Sequence, residues 1–230
     1  MKYGIICAME EEIKELLNHL NNEKEQSIGD MKYYEGNISG NEVVLVQSGI
    51  GKVQAGINAA FLINNFDVDF VINSGSAGGI GDGLHVGDVV LSTGTAYHDA
   101  EATAFGYKKG QLPGQPQIFP ADKDLLARVR EAAIKSDLSV KEGLIVTGDQ
   151  FIDSKAKIKK IKEIYPDALC CEMEGAAVGQ VAHDFSVPYL VIRAMSDVGD
   201  EEASQSFDEF IIEAGKRSAK MILTLLSKEA

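Results

Sequence analysis

Four ionisable residues in this 230-residue sequence, Glu12, Glu174, Arg193 and Asp197, stand close behind apolar runs that read as strands. In α/β sheets, ligands bind outside the carboxyl ends of the strands, so the residues just beyond each strand are where chemistry should be sought. After the first run comes Ala8-Met9-Glu10-Glu11-Glu12, and after Phe70–Ile72 comes Asn73-Ser74-Gly75-Ser76-Ala77-Gly78-Gly79. After Gly143–Val146 comes Thr147-Gly148-Asp149-Gln150-Phe151-Ile152. Cys170-Cys171-Glu172-Met173-Glu174-Gly175 enters a small-residue helix, and the last strand ends in Arg193-Ala194-Met195-Ser196-Asp197. Carboxylates suited to acid–base work, a glycine loop, an arginine and an aromatic thus converge on one rim. Their convergence is more informative than any one of them.

Each has a plainer explanation. Glu10–Glu12 are acids of the kind a helix N-terminus favours through its dipole. Gly75–Gly79 is neither a Walker loop nor a G-x-G-x-x-G, and alone it says only that backbone approaches something closely. Phe151 is a residue type found more often in a core than under a base, although Gly148-Asp149 places it in a loop. Glu174 before Gly175-Ala176-Ala177 fits a helix start, and Asp197 fits an N-cap or a turn. Arg193 resists this treatment, because a guanidinium at the end of an apolar strand needs a partner.

The elements that must position these groups alternate from end to end. Tyr3–Cys7, Phe70–Ile72, Asp88–Leu91, Gly143–Val146 and Pro188–Ile192 read as strands, several apolar on both faces. Ile13, Leu16, Leu17 and Leu20 keep helical spacing, as do Phe207, Phe210, Ile211 and Ala214, continuing to Met221, Ile222 and Leu225. Ser206 with Glu209 has the spacing of a capping box for that last helix. Strands apolar on both faces, separated by helices, predict a largely parallel sheet covered on both sides. Tyr33–Gln47, with Gly-Asn at 40–41, reads as an antiparallel hairpin and makes the sheet mixed. The expectation is a single three-layer α/β domain over residues 1–230, with a central twisted mixed β-sheet flanked by helices. A TIM barrel fits less well, because of the hairpin and the shortage of clean strand–helix pairs. From Asp99 to Pro120 a long Gly- and Pro-rich stretch carries Phe105 and Tyr107, and a loop of that length is functional or part of an interface.

Composition removes several classes. With 22 basic and 35 acidic residues the net charge is −13, so there is no basic surplus for nucleic acid or an anionic membrane surface. No apolar run is long enough to cross a bilayer, and the N-terminus does not read as a signal peptide. Cys7, Cys170 and Cys171 form no Cys-x-x-Cys pair and fit a reducing, cytoplasmic setting. His19, His85, His98 and His183 are scattered, with no zinc-ligand spacing.

With these residues in place, the chain resembles the bacterial 5′-methylthioadenosine/S-adenosylhomocysteine nucleosidases of the nucleoside phosphorylase superfamily. The matching segments run in order along nearly the whole chain. They are Gly4–Glu12, Ser48-Gly49-Ile50-Gly51-Lys52-Val53, Asn73–Gly79, Tyr97-His98-Asp99-Ala100 and Ala104-Phe105-Gly106-Tyr107. They continue with Gly110-Gln111-Leu112-Pro113-Gly114, Gly148-Asp149-Gln150-Phe151-Ile152, Glu172-Met173-Glu174 and Arg193–Val198. Ala102 departs from the pattern, which puts a larger aliphatic residue near the sulfur substituent.

The resemblance implies a nucleoside phosphorylase-like fold and hydrolysis of the bond between adenine and a 5′-thio-substituted ribose, within methionine salvage and methyl-cycle recycling. It extends to 5′-deoxyadenosine. Asp197, positioned by Ser196, would protonate N7 of the leaving adenine, and Glu12 would deprotonate the attacking water with help from Arg193. Glu174 and the Met173 backbone would hold the ribose hydroxyls, with carboxylates stabilising the oxocarbenium-like transition state. Phe151 would stack on adenine while Ile152 reads its edge; Ser76 and Gly78 belong to the same pocket. Met9, Ile50 and Phe207 would line an apolar slot for the alkylthio group. Phe105, Tyr107 and Pro113 would complete that slot in the partner of a homodimer, and no metal or organic cofactor is needed.

Two other readings compete. A purine nucleoside phosphorylase would need a cationic phosphate pocket where Glu12 and Met9 are expected, and a carboxylate there repels phosphate. A non-catalytic nucleoside-binding protein would not need Glu12, Glu174, Arg193 and Asp197 together.

Overall fold

In the computed structural model, which describes residues 1–136, 138–198 and 203–228, one mixed sheet runs through the chain. Its strands are β1 (Lys2–Cys7), β2 (Asn21–Ile28), β3 (Met31–Ile38), β4 (Asn41–Gln47) and β5 (Phe70–Gly79), then β6 (Val89–Tyr97), β7 (Phe119–Pro120), β8 (Val140–Thr147), β9 (Ala168–Glu172) and β10 (Tyr189–Asp197). The helices are α1 (Glu10–Asn18), α2 (Lys52–Phe66), α3 (Lys123–Ala133), α4 (Lys155–Ile164), α5 (Gly175–Phe185) and α6 (Ala203–Lys228).

The predicted α/β architecture with a mixed, helix-flanked sheet is present. Alternation along the strands divides the core. Ile5, Ile72, Leu190 and Ile192 face α1, α3 and α6 through Leu16, Leu125 and Ile222. Ile6, Val71 and Val191 face α2 and α5 through Ala55, Leu62, Ala176 and Val178. A smaller cluster around Val146 and Ile161 seats α4. Strands that bury both faces in this way are apolar on both, which makes them legible in the sequence.

The sheet also curls. β10 pairs in parallel with β5 and antiparallel with β6, while β8 and β9 bridge β6 back to β5, so five strands close into a ring. The predicted hairpin is there, turning at Ser39 and Gly40 with φ of 49° and 83°. Both angles are positive, as a two-residue turn between twisted strands requires.

Several boundaries differ from the sequence reading. Gly75–Gly79, read as a loop, is the second half of β5, and Arg193–Asp197 belongs to β10. Gly75 and Gly78 occupy strand positions where a Cβ would come within 2.3 Å and 2.8 Å of neighbouring side chains. Leu20 lies beyond the end of α1, and β2 begins at once. That strand is polar and almost wholly exposed, the usual state of a sheet edge, and it carries no apolar alternation to read. α6 is described from Ala203, so Ser206 and Glu209 lie inside the helix rather than at its cap, and residues 199–202 lie outside the described ones. Phe210 is off the buried stripe of α6 and 39% exposed. The segment 99–120 is mostly irregular, holding one 3-10 turn (Thr103–Phe105) and the short β7. Among the described residues, no helix is long and apolar enough to cross a membrane.

Candidate active site

A cavity of about 430 Å³ opens at the carboxyl ends of β1, β5, β9 and β10. Its size falls within the usual range for small-molecule sites. It is lined by Met9, Glu12, Ile50, Ser76, Gly78, Phe151, Ile152, Met173, Glu174, Ser196, Asp197 and Phe207, all singled out from the sequence, together with Ala8, Ala77, Gln150, Cys171, Glu172 and Ser204.

Glu12 sits in the first turn of α1, where it reaches back over the helix start. One carboxylate oxygen accepts from the backbone N–H groups of Ala8 (2.9 Å) and Met9 (3.1 Å). The other accepts from the N–H (2.9 Å) and hydroxyl (3.0 Å) of Ser76. Acids are common at helix starts, but this one is 2% exposed and bridges α1 to β5. Gly215 of α6 presses the start of α1 into place: a Cβ there would come within 2.3 Å of the Glu11 carbonyl oxygen.

Arg193 lies fully buried beneath the cavity floor. Its Nη2 donates to Asn73 Oδ1 (2.6 Å), to Glu174 Oε2 (3.3 Å) and, very closely, to Glu172 Oε2. Burial alone would lower its pKa, but the charges of Glu172, Glu174 and Glu12 outweigh that and hold it protonated. Sequence reasoning demanded a partner for this arginine and placed it beside the water. The structure supplies that partner twice, as the carboxylates of Glu172 and Glu174.

Glu172 is the residue that sequence reasoning left without a role. Its Oε2 also accepts from the N–H groups of Glu174 (3.0 Å) and Gly175 (2.7 Å), and its Oε1 accepts from the Thr147 hydroxyl. It therefore caps α5 and anchors Arg193 at once. The signal was present: an acid at the end of an apolar strand, two residues before another, near a buried arginine. Glu174 accepts from the Gly51 N–H through Oε1 (2.8 Å). Burial is the main force raising its pKa to about 7, opposed by Arg193 and reinforced by Glu172.

Asp197 is 2% exposed, at the end of β10 just after a register shift in its pairing with β5. A bulge of this kind re-aims the side chain next to it. The Ser196 hydroxyl donates to Asp197 Oδ2 at 2.9 Å. Gly78 faces the same carboxylate, and a Cβ there would lie 2.8 Å from Oδ1.

The apolar wall comes from loops and from α6. Phe151 is 41% exposed, a position at the cavity mouth and not in the core. Its ring meets Phe207 edge to face at 5.8 Å. Cys171 also lines the cavity, and burial raises its thiol pKa, so it stays neutral. Phe105, Tyr107 and Pro113 do not line the cavity of this chain. Phe105 is 81% exposed, Pro113 is exposed as well, and Tyr107 is half-buried. Among the described residues, no group of three His, Cys, Asp or Glu is arranged to hold a metal ion.

A curled mixed sheet with carboxylates, a buried arginine and an apolar cleft at its carboxyl edge defines a nucleoside-cleaving scaffold, and the sequence profile of the phosphorylase superfamily matches residues 2–227. The chain belongs to that superfamily. Within it, the chain is 48% identical over 228 residues to a 5′-methylthioadenosine/S-adenosylhomocysteine nucleosidase of Actinobacillus succinogenes, covering 99% of both chains. Its fold matches that of the nucleosidase of the same name from S. pneumoniae, solved with the transition-state inhibitor MT-ImmA. The TM-score is 0.96 at 49% identity, over the whole of both chains. A nucleosidase of Colwellia psychrerythraea solved with adenine gives a TM-score of 0.96 at 39% identity, covering 99% of this chain and 95% of that one.

Proposed function

We propose that the protein hydrolyses the N-glycosidic bond of 5′-methylthioadenosine and S-adenosylhomocysteine, releasing adenine and the 5-thio-substituted ribose. One observation carries this reading. Arg193 is buried outside the lining and pairs through Nη2 with Glu172 and Glu174, so among the described residues the cavity is lined by carboxylates and by no arginine or lysine. A phosphate nucleophile would meet Glu12 and Glu174 there and be repelled. Water would not.

The reaction needs a proton on the departing adenine, a base for the incoming water and negative charge beside the ribose. Asp197, held by Ser196, supplies the proton to N7. Glu12 takes a proton from water as that water attacks the anomeric carbon and the bond to adenine breaks. Its four hydrogen bonds fix where the carboxylate oxygens stand, so little reorganisation is needed in the transition state. Glu174 accepts from the ribose hydroxyls while Arg193 keeps it in place. Phe151 stacks on the base, and Met9, Ile50 and Phe207 offer the alkylthio group apolar surface. The same slot would accept 5′-deoxyadenosine, which lacks only the sulfur substituent.

The reading includes a homodimer. Phe105 is 81% exposed on the long loop, and Ile50, Val53 and Ile57 are 55%, 71% and 45% exposed just before and along α2. Apolar surface of that extent fits burial against a second copy, with the partner's Phe105, Tyr107 and Pro113 closing the alkylthio slot. Adenine release from 5′-methylthioadenosine, followed with and without phosphate, tests the activity. Equal rates are expected. Release only on adding phosphate, with ribose 1-phosphate as product, would overturn it.

A further inference from the structure

We propose that Lys52 is a positioning residue for the purine-binding loop, acting through Asp149 and Asp99. This rests on the substrate reading above and adds a residue to it. Lys52 opens α2, and its ammonium bridges two carboxylates from other parts of the chain, Asp99 Oδ2 at 2.7 Å and Asp149 Oδ2 at 3.5 Å. The two acids are themselves joined, because the Asp149 N–H donates to Asp99 Oδ2 at 3.0 Å. Asp149 Oδ1 accepts from the Lys52 N–H at 2.9 Å and so caps the start of α2.

Three functional segments meet at this cation. Asp149 lies two and three residues before Phe151 and Ile152, the pair placed at the base. Asp99 begins the long loop that carries Phe105. Gly51, next to Lys52, donates its N–H to Glu174. Lys52 is three-quarters covered, and its ammonium lies 5.4 Å from the Tyr97 ring. Without the cation, Asp99 and Asp149 face each other as uncompensated, partly desolvated carboxylates, and repulsion displaces the more exposed of them. Asp149 is 50% exposed and Asp99 13%, so the purine loop is the part that moves. Loop displacement weakens base binding in ground and transition states alike, which raises KM and spares kcat.

The test uses adenine and 5-methylthioribose as separate calorimetric probes, alongside turnover of 5′-methylthioadenosine. Lys52→Met should weaken adenine about 10-fold and raise KM similarly, with kcat within about threefold and the thioribose affinity within about twofold of wild type. Asp149→Asn, which keeps the cation, should weaken adenine less than Lys52→Met. The double variant should do no worse than Lys52→Met alone. Unchanged adenine affinity in Lys52→Met, or equal loss of both probes with a lowered melting temperature, overturns the positioning role. Wild-type protein that binds no adenine overturns the substrate reading and this role with it.

Discussion

Gly75 is the position where one added methyl group should do most damage. It pairs with Arg193 across β5 and β10. A Cβ there would lie 2.3 Å from Arg193 Nη1 and 2.6 Å from Glu12 Oε1, where ordinary contact begins near 3.4 Å. In Gly75→Ala the guanidinium must therefore retreat by roughly 1 Å and the carboxylate by nearly as much. Such far ends of side chains usually give way cheaply, but these are pinned. Arg193 Nη2 is held by Asn73, Glu172 and Glu174, and Glu12 by Ser76, Ala8 and Met9. Overpacking of this kind costs ~1–3 kcal/mol, and a 1 Å misplacement of catalytic groups costs on the order of 100-fold in rate. The expected result is a kcat/KM at least about 100-fold down in an adenine-release assay, with a melting temperature lowered by about 2–10 °C. A Gly75→Ala enzyme within fivefold of wild type would refute the view that Glu12 and Arg193 are locked against this backbone.

Asp197→Asn should lower kcat by ~10²–10⁴ while a stable substrate analogue binds within a few-fold, because the amide keeps a hydrogen bond but has no proton to give; near-normal kcat would remove Asp197 from the acid role. Glu12→Gln should abolish turnover with analogue binding retained in calorimetry, and parallel loss of both would make Glu12 structural. Glu174 has its pKa raised above the unfolded value, so its contribution to stability is full below about pH 4.5, the ordinary carboxylate range, and is lost as pH rises through about 7. Above that range Glu174→Gln should gain stability relative to wild type, and the acid limb of kcat/KM near pH 7 should vanish from the residual activity of that variant. Phe105→Asp and Asp197→Asn, each inactive, should regain part of the activity when dissociated and reassociated together, since one site of the mixed dimer is whole; confirmed reassociation without activity would refute a shared site.

The sequence made the central layers legible because strands buried on both faces are apolar on both. Ile5, Ile72, Val191 and their neighbours left little choice. It did not reveal β2, whose exposed Asn-Asn-Glu-Lys-Glu-Gln-Ser run has neither alternation nor β-branched residues. Nor did it reveal that Asn73–Gly79 continues a strand, because glycine is required there by the groups that approach it: Arg193 and Glu12 at Gly75, Asp197 at Gly78. That requirement is three-dimensional and leaves no local pattern. The cavity residues were recoverable because strand ends converge, and resemblance to known nucleosidases gave them roles. Glu172 lacked one because its partners, Thr147, Arg193 and the start of α5, come together only in the fold.

That the nucleophile is water, delivered by Glu12 to the anomeric carbon, is tested most directly by isotope. Turnover of 5′-methylthioadenosine in ¹⁸O-labelled water containing phosphate should place one label at C1 of free 5-methylthioribose in the first turnover, trapped before exchange. Unlabelled thioribose, or a 1-phosphate product, would contradict it.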